Sequence, residues 1–298
     1  MDSRDITIKV PDIPQEEILS QIFSLQKELI SEYIKIEKGK PYPLNVNTKE
    51  SQLILKDFTA RVIEELAEGY ESLLLVDKLT RKNQYWVGNY DNKEYFTMLN
   101  HLQNANEEFA DAIHFMVELL VYTNIDSESI MEYLKVKYPD LVEDSLIEDP
   151  LYQSQVVGYM VLLKDLYAPY TVIEEYPKRI SLLKVFNKEW ANTSFSKGID
   201  VKLLVGAEKY DSNEYLHVYK EMLWDITYHL NISRNFLRNK PWKQSQVFVD
   251  EQKYQEELII SFISMMGFFA FIGLKPLDIF YIYFKKNQVN RFRIRSKY

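Results

Sequence analysis

Cysteine is absent from the sequence, which removes disulfide scaffolds, Cys-ligated zinc sites and thiol catalysis together. Glycine and proline are scarce, with 8 and 10 in 298 residues. All-β folds need turn residues about every ten positions, so this scarcity points to helices. Positive charge is not in excess either. The formal net charge is −8, contrary to what counterion release on nucleic acid requires, and no nucleic-acid partner is expected. Long apolar runs are also missing. The most apolar stretch, Leu258 to Leu274, follows Glu256-Glu257 and contains Ser261, Ser264 and two glycines. It falls short of a membrane span and reads as a buried core helix, so no membrane partner is expected. The first residues, Met1-Asp2-Ser3-Arg4-Asp5, are charged with no apolar run behind them. No signal peptide is read there, and the expected compartment is the cytoplasm.

What remains is an ordinary globular balance, 46% apolar and 27% charged. Residues 4–10 alternate like a short strand closed by Pro11. Pro14-Gln15-Glu16-Glu17 opens a helix in which Ile18, Ile22, Leu25 and Leu29 follow helical spacing. Residues 37–43 read as a loop. Long helices are predicted from Lys49 to Leu79 and from Asn92 to Tyr122. Asp126 opens another, which Pro139 closes. Residues 139–150 are acidic and hold two prolines, which suits a boundary. Helical patterns resume at Leu151, and Asn239-Lys240-Pro241-Trp242 marks a later loop.

A weak internal repeat runs through these helices. Glu107-Glu108-Phe109-Ala110-Asp111 and the turn at Asn124-Ile125-Asp126 have counterparts in Glu256-Glu257-Leu258-Ile259-Ile260 and the turn at Leu274-Lys275-Pro276. Glu64-Glu65-Leu66-Ala67-Glu68 likewise matches Lys220-Glu221-Met222-Leu223-Trp224. The expectation is an all-α fold, one domain over 1–298, made of two degenerate repeats at about 15–140 and 151–298 that pack as a pseudo-symmetric bundle. Trp224 and Ile260 stand where the first copy has Glu68 and Asp111. Only the first copy has the carboxylates for a metal.

Glu65 and Glu68 are three residues apart, as are Glu108 and Asp111, so each pair shares one helix face. A single such pair is commonly plain surface. Two pairs among apolar neighbours such as Ile63, Leu66, Phe109 and Phe115, both missing from the sister repeat, point to more. Four converging carboxylates repel one another unless cations neutralise them. Oxygen ligands suit Mg²⁺, with Mn²⁺ as a substitute. His114 lies one turn beyond Asp111, either orienting a carboxylate or serving as a satisfied core histidine.

Six of the last sixteen residues are Lys or Arg. A basic tail at the negative end of a helix accounts for them. So does a triphosphate clamp, in which Lys286 gives a point charge, Arg293 a fork of donors, and Asn290 sits one turn from Lys286.

These residues together resemble the dimeric all-α dUTPases, which are related to MazG-type pyrophosphatases and phage dCTPase-dUTPases. Glu65-Leu66-Ala67-Glu68 and Glu108-Phe109-Ala110-Asp111 match the two metal motifs, and His114-Phe115 matches the His-Phe behind the second. Tyr283, Lys286, Asn287, Asn290, Phe292, Arg293 and Tyr298 match the late phosphate segment. Leu25-Gln26-Lys27-Glu28-Leu29 matches an early motif that contributes to the base pocket. The resemblance implies Mg²⁺-dependent hydrolysis of a deoxynucleoside triphosphate to monophosphate and pyrophosphate. Glu65, Glu68, Glu108 and Asp111 would then be metal ligands and catalytic residues, with Glu65 as the base. Gln26, Lys286, Asn290, Arg293 and Tyr298 would be substrate contacts. A homodimer, a viral or phage source and a host-cytoplasm location are implied in the same way. Departures cluster at the base: Ile30 replaces the usual Asn, Leu73 to Trp86 lacks the Trp-Lys-x-x-Trp pattern, and the closing Gly-Tyr is Lys297-Tyr298. The substrate is expected to be dUTP, with dCTP, dTTP or a modified pyrimidine triphosphate as the other choices.

Overall fold

A computed structural model describes residues 10–14, 17–36, 38–84, 92–143, 149–167, 212–239 and 247–296. The fold is all-α. Its described helices are α1 (Ile18–Lys35), α2 (Lys49–Gln84), α3 (Asn92–Tyr122), α4 (Ser127–Lys137), α5 (Pro139–Glu143), α6 (Pro150–Tyr167), α7 (Ser212–Phe236), α8 (Glu251–Phe271) and α9 (Pro276–Arg295), with no strand among the described residues. The strand expected over 4–10 lies outside them except for Val10. Two boundaries differ from the sequence reading. α2 runs five residues past Leu79 to Gln84, and the stretch after Pro139 begins with a short helix, α5. Pro139 ends α4 and fits the first turn of α5, where its missing N–H costs nothing.

α2 and α3 form an antiparallel pair. Phe58 meets Tyr122 at 5.5 Å between ring centroids, while Gly69, eleven residues on, meets Phe109. A Cβ at Gly69 would lie 2.4 Å from the Phe109 ring, so only glycine allows the two helices this approach. The Phe109 ring continues inward to Phe268 and Phe269 of α8, at 5.6 and 5.4 Å. α8 is buried along most of its length and packs between α6 and α7. Against α6 the contact is backbone to backbone, since a Cβ on Gly158 would sit 2.0 Å from the Ile263 carbonyl oxygen. The apolar stretch at Leu258 to Leu274 is therefore core, and no single helix among the described residues is long and apolar enough to cross a membrane.

The ends of α3 and α8 are built alike. Asn124 (φ 60°) and Gly273 (φ 91°) take the left-handed conformation that stops each helix. Ile125 N–H returns to the Leu120 carbonyl at 2.9 Å, and Leu274 N–H returns to that of Phe269 at 2.8 Å. Each loop then leads directly into a capped helix, α4 behind Asp126 and α9 behind Lys275. α9 lies parallel to α1, with the Asn287 amide on the Leu25 carbonyl and Arg291 on Glu28 and Glu32. This brings the basic end of the chain across to the acidic face of α3, where Lys286 reaches Asp111.

Candidate metal centre

α2 and α3 carry the acidic residues to the side of their interface. Ligand oxygens of Glu65, Glu68 and Glu108 lie within 4.8 Å of one another. Glu65 and Glu108 are partly buried and Glu68 is exposed, so the cluster sits at the rim of the bundle rather than in its core. Gly69 and Phe109, each next in sequence to one of the three, fix the helix separation there.

Burial, followed by the charges of Asp111, Glu108 and Glu68, pushes the Glu65 carboxyl up to about 8. Burial also raises Glu108, while its hydrogen bond from Glu65 works against that rise. Both shifts favour a proton on this pair of adjacent acids. Like charges held this close cannot all ionise without a compensating cation. The set is entirely hard oxygen and half-exposed, and so these residues fit a divalent ion such as Mg²⁺.

Asp111 stands apart from the other three. Its Oδ2 accepts a hydrogen bond from the Lys286 ammonium at 2.5 Å. Burial raises the Asp111 carboxyl, and Lys286 followed by Arg293 pulls it back down. Lys286 thus lies against a carboxylate, where the sequence had suggested a clamp across from the metal. Asn290 follows one turn later and is partly buried, and Arg293 is exposed. Arg293 also acts on Tyr33 of α1, lowering a hydroxyl that burial raises. Tyr298 lies outside the described residues.

His114 and Gln26 belong to the packing beside this site. The His114 ring is buried and stacked on Tyr283 at 4.1 Å. Its Nδ1 lies 3.1 Å from Gln26 Oε1 and its Nε2 lies 3.1 Å from the Tyr283 carbonyl oxygen. Burial pulls the imidazole down to about 3, so it stays neutral. The core-histidine alternative is the one this geometry favours. Gln26 is 1% exposed, accepts the Tyr283 hydroxyl at 2.7 Å and donates to Glu118 at 3.2 Å. Its side chain is a buried strut between α1, α3 and α9.

Several residues escaped the sequence reading. Burial pushes Glu118 up to about 7, against the opposing pull of Tyr122 and Arg61. Arg61 lies over the Phe115 ring at 5.5 Å. Glu118 lies seven residues beyond Asp111, a spacing that returns to the same helix face and could have flagged it. Gly69 was visible as a glycine in mid-helix beside Glu68.

Comparison of the chain with protein-family models, curated proteins and solved structures returns no match.

Proposed function

We propose that the chain is a Mg²⁺-dependent pyrophosphohydrolase of deoxynucleoside triphosphates, with dUTP the first substrate to test and dCTP, dTTP or a modified pyrimidine triphosphate after it. The observation that carries the reading is the convergence of Glu65, Glu68 and Glu108 within 4.8 Å, next to an Asp111–Lys286 pair. Carboxylates that collect cations, set against cationic side chains that collect phosphate, are the two halves phosphoryl transfer needs. A bound divalent ion would polarise the phosphate, lower the pKa of water and keep the carboxylates ionised.

The remaining tasks fall to the chain. Glu65, ionised once an ion is bound, is the residue assigned to take a proton from the attacking water. Glu68, Glu108 and Asp111 would complete the ligand set. Lys286 and Arg293 bind the phosphates, and Asn290 lies between them on the same helix. Gln26 acts by fixing α1 against α3 and α9. A homodimer in the cytoplasm, in a host cell if the source is viral or phage, belongs to the same reading. A second reading, an idle nucleotide-binding or host-interaction protein that keeps the bundle, draws on Lys286, which already neutralises one of the four acids.

Incubation of the purified chain with each deoxynucleoside triphosphate and Mg²⁺, followed by separation of monophosphate and pyrophosphate, divides the two. Stoichiometric release of both products from at least one nucleotide is expected. Binding without release supports an idle nucleotide-binding protein, and neither binding nor release discards both nucleotide readings and leaves the host-interaction protein.

A further inference from the structure

We infer that Lys286 is an internal counter-cation that competes with a divalent ion for Asp111, so that metal and phosphate bind cooperatively through this one side chain. The inference rests on the proposed reading that both ligands meet at this site, and it concerns how they are coupled.

Three features lead to it. The Lys286 ammonium lies 2.5 Å from Asp111 Oδ2, and the two side chains are only 15% and 20% exposed. The contact is a close, largely shielded ion pair and not a loose surface one. Asp111 is also one helical turn from Glu108, on the face of α3 that turns Glu108 toward Glu65 and Glu68 of α2, yet it is the one acid of the four outside that cluster. Its place near the trio suits a ligand, and its occupant is an ammonium. Lysine, finally, is a compact charge on a flexible four-carbon stem, and α9 sets Asn290 and Arg293 one and two turns beyond it. A short swing of the side chain transfers its charge from Asp111 to an anion held along α9 without moving a helix.

An ammonium and a divalent ion repel each other at one carboxylate, so each displaces the other. Phosphate that draws Lys286 away releases Asp111 to complete the metal's ligands. Linkage makes the effect mutual, and a metal that takes Asp111 frees Lys286 for phosphate. The trio alone then holds a cation loosely until substrate arrives.

The test is Mn²⁺ binding to the full chain, read from the paramagnetic resonance of the free ion. Lys286→Met and Lys286→Gln should each tighten Mn²⁺ about tenfold, a coupling of ordinary size. In an Asp111→Asn background the same changes should alter affinity by less than about twofold, because the contested ligand has gone. Sulfate, a tetrahedral dianion that leaves Mn²⁺ in solution, should tighten Mn²⁺ on the wild-type chain and not on Lys286→Met. Equal tightening in both backgrounds would mean a long-range charge effect and overturn the inference while leaving the metal centre standing. Unchanged or weaker binding in the Lys286 variants would also overturn it. If no variant binds Mn²⁺, the metal centre of the proposed function falls, and the inference falls with it.

Discussion

The pair α2/α3 and the pair α7/α8 handle acidic side chains in opposite ways. In α7/α8 the charges close on themselves. His229 Nδ1 lies 2.7 Å from Glu257 and its Nε2 lies 3.7 Å from Asp225, whose other oxygen accepts the Ser264 hydroxyl at 2.7 Å. In α2/α3 the residues at the corresponding places are Gly69 for Asp225 and Leu73 for His229. Glu65, Glu68 and Glu108 are left to face one another, and burial together with the neighbouring carboxylates pushes the Glu65 carboxyl up to about 8. In α7/α8 the carboxylates find hydrogen-bond partners within the pair, whereas in α2/α3 three of them face one another.

The comparison breaks most visibly in turnover. Glu68→Gln or Asp111→Asn should lower pyrophosphate release by about 10²–10³-fold, the order lost with one preorganised electrostatic group at a reacting centre, with helicity by circular dichroism retained. Glu257→Gln, at the place of Glu108 in the closed pair, should stay within about threefold of wild type, because it lies outside the proposed site. Equal losses in both pairs would erase the distinction.

Geometry comes next. Gly69→Ala forces a Cβ into the Phe109 ring and should cost about 1–3 kcal/mol in denaturant unfolding, as overpacking does. The same variant should weaken metal binding, since it spreads the carboxylates apart.

The pH profile carries a sign. The folded Glu65 carboxyl lies at about 8, above its ordinary 4.5. It therefore contributes stability that is fully present below pH 4.5 and is lost as pH rises through 8. Discounted for its partial exposure to solvent, the change is about 1–2 kcal/mol, and saturating Mg²⁺ or Glu65→Gln should flatten it. His114 works the other way. Held at about 3 in the fold against 6.5 ordinarily, it makes stability fall as pH drops from 6.5 toward 3, and His114→Gln should soften that acid limb.

The smallest effect is also the cleanest contrast. Without metal, Glu108→Gln should stabilise the chain by about 1 kcal/mol, because it removes a repelled charge. Glu257→Gln should destabilise it by a similar amount, because it removes the partner of His229. Thermal unfolding of the two variants reads both signs.

The helices were legible because their signals are local. Asp126 at the start of α4, Pro139 beyond its end and the 3.6-residue pattern each act within a turn or two. The carboxylate pairs were legible for the same reason, since residues three apart share a face wherever the helix lies. What could not be read is what comes from far along the chain. Lys286 meets Asp111 across 175 positions, and no local pattern assigns that pairing. Gln26 looked available for substrate, but Glu118, 92 residues on, and Tyr283, 257 residues on, enclose it. His114 left two readings open because helical spacing shows only that it shares a face with Asp111. The ring that stacks on it, Tyr283, belongs to α9.

The proposed site on α2 and α3 would bind a divalent cation and hold a proton until the ion arrives. Calorimetric titration of Mg²⁺ into the wild-type chain at pH 7, repeated in buffers of different ionisation enthalpy, tests it directly. The account predicts saturable binding with release of about one proton, contributed by Glu65 and missing in Glu65→Gln. Absence of binding, or binding with the same proton release in Glu65→Gln, would contradict it.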